Sequence, residues 1–525
     1  MSFVLFVSLM YISFVIKRRQ YLIIEDTQGK FYKIIILISG FISVLVGIDK
    51  GESIYGFLRL CVYLIVGIAV QQIREKDRRR ILLSIPVLGI VLSICSLFHN
   101  SVIFQHWIAL PTGRLAGPFE YPNTMALFLL LGVIIVEHLE KCGKYIVQLL
   151  LIVGVIATGS RTIFVVLCIF LLYRYVQCRG RNKTFITFMI VVSLIVCITV
   201  VFEQNLQGLS RFMRININSS TLQGRLLYWE DAIRMLIKHP FGLGYMGYFY
   251  LQQAEQTGVY SVRFVHNEWL QWMLDYGILA GIGLVMYLFR QFKRKKIGDM
   301  EAELLCIIMV CSFFDFHLQF TSIVCIVMLL FPGEDVICFD RRHCIYWCII
   351  MLGMVAATAL LIADITAWRF AYYGDYKQAM QWNPLSSQYK QEYLLQSKDL
   401  KSAAVYANRL LKDNQYLYVA YLIRSNAAAQ EGRLDLFIAD RKQVLALRKY
   451  KISEYEDYFQ VLLSWYLKAC ADNNSEIMNQ CKTAMKEIPE IIISVKKQTS
   501  VRAFRIQQKP ELNFNKEYEK IISSL

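Results

Sequence analysis

The sequence predicts an all-α, polytopic membrane protein with a soluble helical domain towards its C-terminus. Three observations support this fold class: 56% of the 525 residues are hydrophobic, only 18% are charged, and the mean hydropathy is +0.42. Soluble globular chains carry about 25% charged residues, so this chain has too few polar side chains for a soluble surface. The composition therefore excludes a soluble enzyme, a disordered chain and a secreted disulfide scaffold.

Apolar runs recur throughout residues 1–362, and about twelve of them are candidates to cross a bilayer, although several are shorter than the ~20 residues that a perpendicular helix needs. The runs are 2–16, 32–48, 57–71, 81–98, 123–138, 145–159, 162–177, 184–202, 266–289, 302–314, 318–331 and 344–362. Residues 1–362 are therefore predicted to form a polytopic membrane domain.

Basic residues cluster between these runs, and they test the predicted topology. The clusters lie at 17–19, 74–80, 174–183, 290–296 and 341–342. If the runs alternate in direction, all five clusters reach one side, which the positive-inside rule makes cytoplasmic. The other side receives the N-terminus, the loops 49–56, 99–122, 160–161, 203–265 and 315–317, and everything after 362. Most of the net charge of +17 then reports membrane topology, and we expect no nucleic-acid partner.

Residues 363–525 are polar, and their apolar residues recur at helical spacing. The segment GDYKQAMQWNPLSSQYKQEYLL, residues 374–395, resembles the junction of two tetratricopeptide repeats. A generic helical domain is the alternative, because no clean 34-residue period is visible. We expect an extracytoplasmic, tetratricopeptide-like domain.

Two short external segments carry arginines that need a reason to lie beside a membrane. In PTGRLAGPFEYPNTMA, Arg114 lies in a turn-rich loop, and Asn123 is expected to cap the following helix. In the hairpin GSR, Arg161 lies at a helix start, where its charge opposes the helix dipole unless an anion is close. The alternative for both arginines is an interfacial position at the lipid headgroups.

The predicted external loop 203–265 contains SSTLQGRLLYWEDAIRMLIKHPFGLGY, an amphipathic helix that ends before Pro240. Arg225 and Trp229 lie one turn apart, so the indole can support the guanidinium. Gly242 and Gly244 allow a tight turn or the close approach of a ligand to the backbone. An interfacial helix lying on headgroups is the alternative.

Two histidine-containing segments complete the set of candidates. In HNEWLQWMLDYG, His266 and Asn267 stand at the mouth of a membrane helix, and histidine can accept a proton near neutral pH. In DFHLQ, Asp315 and His317 lie in a short turn, where the alternative is that both side chains face water. The sequence contains no Walker loop, HExxH motif or metal-ligand cluster, so we expect neither a metal nor a cofactor.

Taken in order, these segments resemble the O-antigen ligase and polymerase superfamily. The resemblance covers about residues 80–335 and depends on YPNTMA, the SR hairpin, GRLLYWEDAI, HPFGLGY, HNEWLQ and DFHLQ, all on one side of the membrane. The following helical domain resembles the subgroup with tetratricopeptide-like tails.

The resemblance implies a membrane glycosyltransferase of the C-type. Such enzymes move a glycan from undecaprenyl diphosphate to an acceptor at the outer face of the bacterial cytoplasmic membrane. Arg161 and Arg225 match the family's essential arginines and are expected to hold the diphosphate, while His266 matches its histidine and is expected to act as a base or to hold phosphate. The expected substrate-binding residues are Arg114, Asn123, Trp229, Asn267, Asp315 and His317.

The partners that the resemblance implies are the lipid-linked donor, the bilayer and a glycan, lipid or protein acceptor. Residues 363–525 are expected to hold an acceptor or to dock polysaccharide-assembly proteins. The sequence does not separate a ligase from a repeat-unit polymerase. A glycolipid flippase, for which Arg59 within a membrane run would matter, and an inert membrane anchor for an interaction domain are the alternatives.

Overall fold

The computed structural model describes residues 1–109, 112–139, 143–177, 220–338 and 344–525. The predicted run 184–202 and the loop residues 203–219 lie outside the described residues. The described part is helical apart from two short antiparallel strand pairs, β1 (Tyr21–Ile24) with β4 (Asp335–Cys338) and β2 (Ile108–Ala109) with β3 (Arg114–Leu115). The all-α fold class is confirmed.

The first part of the chain contains the membrane helices and the helices that join them. In chain order they are α1 (Ser2–Arg19), α2 (Thr27–Val46), α3 (Lys50–Gln71), α4 (Glu75–Leu82), α5 (Ser84–Cys95), α6 (Pro122–Glu137), α7 (Lys144–Ala157), α8 (Arg161–Gln177), α9 (Ser220–Lys238), α10 (Gly247–Glu255), α11 (Glu268–Tyr276), α12 (Ile278–Lys293), α13 (Met300–Cys311), α14 (Thr321–Leu329) and α15 (Cys344–Tyr372).

Four helical segments in the described part are long and apolar enough to cross a membrane: Thr27–Val46, Lys50–Gln71, Glu75–Phe98 and Trp347–Tyr372. Two shorter apolar helices, Pro122–Glu137 and Lys144–Ala157, accompany them. Along α2, the apolar side chains of Ile34, Ile38 and Leu45 are exposed, as expected for a surface that contacts lipid. The chain is therefore a membrane protein, while the count of about twelve spans stays a prediction.

Helix α6 lies at the centre of the membrane part, because nearly all of its residues from Pro122 to Val136 are buried. Helices α5, α7, α8 and α13 pack around it. Glycines bring α7 close to α6: a Cβ atom at Gly132 would lie 3.2 Å from the Leu151 side chain, and one at Gly154 would lie 3.0 Å from the Leu129 side chain. This packing holds the residues at the start of α6 in a fixed position.

The predicted run 266–289 is broken in the structure into α11 and α12. The break is at Gly277, whose φ of 91° is readily adopted only by glycine. A Cβ atom there would lie 2.9 Å from the Phe241 carbonyl oxygen, and Ser39 Oγ donates to the Tyr276 carbonyl at 2.6 Å. The last membrane helix also differs from its prediction, since it continues ten residues beyond 362 to Tyr372.

The basic clusters 17–19, 74–80 and 290–296 meet at one end of the bundle, together with Arg174, whereas residues 178–183 and 341–342 lie outside the described residues. There Arg290 pairs with Asp26, and Arg19 Nη1 donates to the Gln72 carbonyl at 3.3 Å. The β1–β4 pair closes the same end. At the opposite end, Ser2 Oγ donates to Asp364 at 2.6 Å, so the start of α1 lies beside the C-terminal half of α15. The alternation of all twelve runs stays a prediction.

Residues after α15 form a stack of helices in which consecutive members α18 to α20 pack on one another. They are α16 (Tyr376–Trp382), α17 (Ser387–Gln396), α18 (Leu400–Asp413), α19 (Tyr418–Gln430), α20 (Leu434–Leu447), α21 (Ile452–Ala471), α22 (Ser475–Gln498) and α23 (Lys516–Ser524). Phe437, Tyr458 and Phe459 are fully buried in their core. The tetratricopeptide character of this stack stays a prediction.

The helical stack is docked on the membrane part through Asp49, which is 1% exposed. Its carboxylate accepts from Ser387 Oγ at 2.6 Å and from Asn414 Nδ2 at 2.8 Å, and it also caps α3 through the Glu52 amide at 2.9 Å. Further along, Lys449 Nζ donates to the Ala254 carbonyl at 2.8 Å. A buried carboxylate with three donors stabilises the interface more than an exposed ion pair can.

We expect Asp49→Ala to weaken this docking by about 1–3 kcal/mol, because two buried donors and one helix end lose their acceptor. Limited proteolysis of the purified protein in detergent should then cut faster between α15 and α18. The control is Lys50→Ala, which removes an exposed side chain 3.8 Å from Asp413. Equal cleavage rates for the two variants would contradict the role of Asp49.

Candidate active site

The carboxylate of Asp315 lies at the centre of the candidate site, in the turn between α13 and α14, and is 3% exposed. It accepts hydrogen bonds from Tyr121 Oη at 2.8 and 2.9 Å and from Asn123 Nδ2 at 2.6 Å. His266 Nδ1 lies 3.1 Å from its Oδ1, and Arg225 Nη2 lies 3.3 Å from its Oδ2. One buried anion therefore joins residues from four segments that are distant in sequence.

Burial alone would raise the pKa of the Asp315 carboxyl. The hydrogen bond from His266 and the positive charge of Arg225 outweigh burial and hold this pKa well below its usual range. Burial lowers the pKa of His317 to about 4, so its imidazole is neutral at neutral pH. His317 Nδ1 lies 3.1 Å from Thr124 Oγ1, behind the carboxylate.

His266 is held in one orientation by its neighbours. Its φ of 55° is uncommon for a residue other than glycine. Trp229 Nε1 donates to the adjacent Val265 carbonyl at 3.1 Å, and the Phe316 ring lies 5.1 Å from the imidazole. Because an ionised carboxylate only accepts hydrogen bonds, Asp315 requires the proton on Nδ1, which leaves Nε2 as the basic nitrogen of the neutral ring.

The arginines reach the site from different elements. Arg114 lies on β3, and its guanidinium donates to the Thr158 carbonyl at 2.7 Å and to Asn123 Oδ1 at 2.8 Å. Arg225 lies on α9 with its side chain 15% exposed. Asn123 thus links one arginine to Asp315, while Arg225 contacts Asp315 directly.

These side chains open onto a cleft of about 490 Å³. Its lining combines Arg114, Asn123, Arg225 and His266 with three tyrosines (Tyr121, Tyr228 and Tyr260), residues 259–262 of the loop after α10, and residues 506–508 of the C-terminal domain. Positive charge, a histidine and aromatic faces in one cleft suit a ligand that combines phosphate with sugar.

Five of the predicted site residues, including the buried Asp315, lie beside the cleft instead of lining it. Arg161 begins α8, three residues after the Thr158 carbonyl that binds Arg114. Trp229 supports the loop before His266, and Asn267 caps α11 by accepting from the Leu270 amide at 3.1 Å. His317 is 1% exposed and lies behind Asp315.

Two details of the sequence interpretation are corrected. Asn123 does not cap α6: the N-cap is Tyr121, which makes no capping bond through its side chain, and the Asn123 side chain is bound by Arg114 and Asp315. The side chains of Asp315 and His317 do not face water, because the turn that carries them is drawn into the protein.

Arg59 explains why this turn is buried. Its guanidinium, on α3, donates to Tyr63 Oη at 2.6 Å, to Gln319 Oε1 at 2.7 Å and to the carbonyls of Leu318 and Gln319 at 3.1 and 2.7 Å. Glu268 holds the same turn by accepting from the Leu318 amide at 2.9 Å. The membrane arginine considered for a flippase is therefore occupied in positioning the turn after Asp315.

The glycines of HPFGLGY serve contacts within the protein. Gly242 and Gly244 have φ of 95° and 75°, and a Cβ atom at Gly242 would lie 2.6 Å from the Gly277 amide nitrogen. A Cβ atom at Gly244 would collide with Ser53 Oγ. With Gly247 they have the spacing GxGxxG, but they follow helix α9 instead of a strand, so the dinucleotide-binding fold is absent here.

Sequence reasoning missed several residues of the cleft. Tyr121 directly precedes Pro122 and Asn123, and the burial of its hydroxyl group could not be inferred from that position. Tyr228 and Tyr260, with ring centroids 4.5 Å apart, gave no pattern of their own. Gln507 and Gln508 belong to a domain about 240 residues from His266, and no local signal connects them to the site.

The O-antigen ligase family model matches residues 146–285. This segment of the chain is therefore similar to the O-antigen ligase family. No curated protein and no solved structure matches the chain. The O-antigen ligase segment contains Arg161, Arg225 and His266, whereas Arg114, Asn123 and Asp315 come from the flanking sequence. The match supports a role in surface polysaccharide biosynthesis, of the glycosyltransferase-like ligase or polymerase type.

We expect Asp315→Asn to lower the free energy of unfolding at pH 7 by about 3–5 kcal/mol, because Arg225 and His266 lose a buried anionic partner. The folded-state pKa of Asp315 lies below the unfolded value of about 3.9, so its contribution is present above that pH and is lost as the pH falls. The deficit of the variant, followed by thermal unfolding in detergent, should therefore persist down to about pH 4 and shrink only below that pH.

The control for this measurement is Asp413→Asn, at an aspartate whose side chain is 49% exposed and 3.8 Å from Lys50. Its effect should stay within about 0.5 kcal/mol at every pH. If Asp315→Asn and this control are equally stable at pH 7, Asp315 does not hold the site together.

Proposed function

We propose that this protein transfers a glycan from undecaprenyl diphosphate to an acceptor hydroxyl at the outer face of the bacterial cytoplasmic membrane. The observation that carries this proposal is the cleft in which Arg114, Arg225 and the Asp315-bound His266 meet. Arg225 and His266 lie in the segment that matches the O-antigen ligase family. A cationic cleft with an oriented base has the groups that this transfer needs.

The donor side of the proposal concerns the diphosphate. As the glycosidic bond breaks, negative charge grows on the leaving phosphate, and arginine stabilises it through forked, charge-assisted hydrogen bonds. In the described part of the chain, Arg225 has a hydrogen-bond partner only at Nη2, which supports its availability to phosphate. Arg114 lines the same cleft, and we retain Arg161, at the adjacent start of α8, as the third arginine. The arginines supply the positive charge themselves, so the proposal requires no metal.

The acceptor side concerns His266. The acceptor hydroxyl oxygen attacks the anomeric carbon, a new C–O bond forms, and the bond between that carbon and the phosphate oxygen breaks. The electron pair leaves with undecaprenyl diphosphate, and the hydroxyl proton passes to His266 Nε2. Asp315, bound to Nδ1, stabilises the imidazolium that results. A base in this position contributes about 10²–10⁴-fold to the rate.

The membrane orientation follows from charge. The basic clusters 17–19, 74–80 and 290–296 lie at the end of the bundle opposite the cleft and the C-terminal domain, and the positive-inside rule supports a cytoplasmic location for that end. The cleft and residues 363–525 then lie on the extracytoplasmic side, where the lipid-linked glycan is presented. The helical domain would hold the acceptor or dock polysaccharide-assembly proteins. A ligase and a polymerase differ only in the acceptor that enters the cleft.

We expect His266→Ala, Arg225→Ala and Arg161→Ala each to reduce glycan transfer by at least about 100-fold, while the protein stays inserted and folded. The measurement is surface polymer in cells in which the variant replaces the wild type. Matched controls are Arg263→Ala, an exposed arginine three residues before His266, and His239→Ala, at the end of α9. Normal polymer in the His266 and Arg225 variants would refute the proposed function.

The lipid-linked intermediates of a strain without the protein should separate the two acceptor classes. A polymerase leaves single repeat units on the lipid when it is removed, whereas a ligase leaves long lipid-linked chains. Extracted lipids can be resolved by mass spectrometry after mild acid release of the glycan. If no lipid-linked glycan accumulates, neither activity applies.

A further inference from the structure

The cleft has a wall that comes from the C-terminal domain. Ile506, Gln507 and Gln508 line it together with Arg225 and His266 of the membrane part. These three residues belong to the segment between α22 and α23, here called the wall segment (residues 500–508).

Apolar packing holds the wall segment against the membrane part. Ala503 and Ile506 form a buried cluster with Leu227 of α9 and Tyr260 of the following loop. Ala503 packs closely against Gly258: a Cβ atom added at Gly258 would lie 2.7 Å from the Cβ atom of Ala503. Only glycine leaves room at that position, so the chain accommodates the wall segment through a specific choice of residue.

Polar contacts fix the same segment in register. The Ser500 amide donates to the Thr257 carbonyl at 2.9 Å, and the Arg502 guanidinium donates to Glu230 at 2.7 Å and to Gln223 at 3.0 Å. Both acceptor side chains lie on α9, the helix that carries Arg225. The wall segment and the arginine are therefore positioned by one element.

Gln507 and Gln508 contribute neutral amide groups to the cleft, whereas the opposite side contributes charged arginines. Both side chains are exposed, and each amide offers two N–H donors and one carbonyl acceptor. A sugar presents hydroxyl groups that donate and accept in the same way, while its C–H faces pack on aromatic rings such as Tyr228 and Tyr260. Arginine suits the phosphate, and neutral amides next to tyrosines suit the glycan.

We propose that Gln507 and Gln508 bind hydroxyl groups of the transferred glycan, so that the wall segment selects which glycan the enzyme accepts. The proposal depends on the proposed function, because it assigns the glycan end of the same cleft. A site that must hydrogen-bond a hydroxyl discriminates strongly against a sugar that lacks it, since the protein groups are then left unpaired.

The test uses full-length protein in detergent and two undecaprenyl-diphosphate oligosaccharides that differ in one hydroxyl group. For the double variant Gln507→Ala/Gln508→Ala we expect KM for the better donor to rise about tenfold, kcat to change much less, and the preference between the donors to fall by a similar factor. The control is Gln430→Ala, an exposed glutamine at the end of α19. His266→Ala is measured in parallel.

The outcomes separate the two proposals. If His266→Ala is inactive but the double glutamine variant keeps wild-type KM and donor preference, the wall segment does not select the glycan, and the proposed function stands. If His266→Ala is as active as the wild type, the proposed function itself fails.

A charge exchange provides a second test that does not alter the glutamines. Arg502→Glu should raise KM and weaken donor preference, because it places two carboxylates together and displaces the wall segment from α9. The double variant Arg502→Glu/Glu230→Arg restores an attractive pair and should recover much of both. Wild-type kinetics in Arg502→Glu would overturn the positioning role of the wall segment.

Discussion

The organisation of the site depends on one buried anion. Asp315 is nearly inaccessible to solvent, and a carboxylate in that position is stable only with several donors and positive charges around it. Its partners come from the start of α6, from α9 and from the loop before α11. Each of these segments is therefore constrained by the charge of one residue, which joins the membrane core to the long loop that carries Arg225 and His266.

A second layer of contacts keeps that anion in place. Arg59 and Glu268 bind the turn that follows Asp315, one from α3 and one from α11. At Gly277, where α11 ends, the chain packs against the backbone of Phe241, just after α9. This contact keeps α11 and the residues before it close to α9. The buried polar side chains of Arg59 and Glu268 therefore hold the residues of the site in position before a ligand binds.

The sequence predicted the all-α membrane class and most helix positions, because long apolar runs and basic clusters are local signals. It also identified Arg114, Asn123, Arg225, His266 and Asp315, which the structure brings together. It did not predict their roles in detail: Asn123 was expected to cap a helix, and Asp315 was open to water in one interpretation. The burial of Asp315 and its pairing with Asn123, Arg225 and His266 arise from contacts between segments that are distant in sequence, so no local sequence pattern predicts them.

The wall segment also has a consequence for the order in which the protein is made. Residues 500–508 follow every described membrane helix along the chain, and three of them line the cleft. During synthesis, the residues of the charged side of the cleft are therefore made before those of its other wall. The cleft is complete only when the C-terminal domain has folded against α9, so the shape of the cleft depends on the last part of the chain to be made.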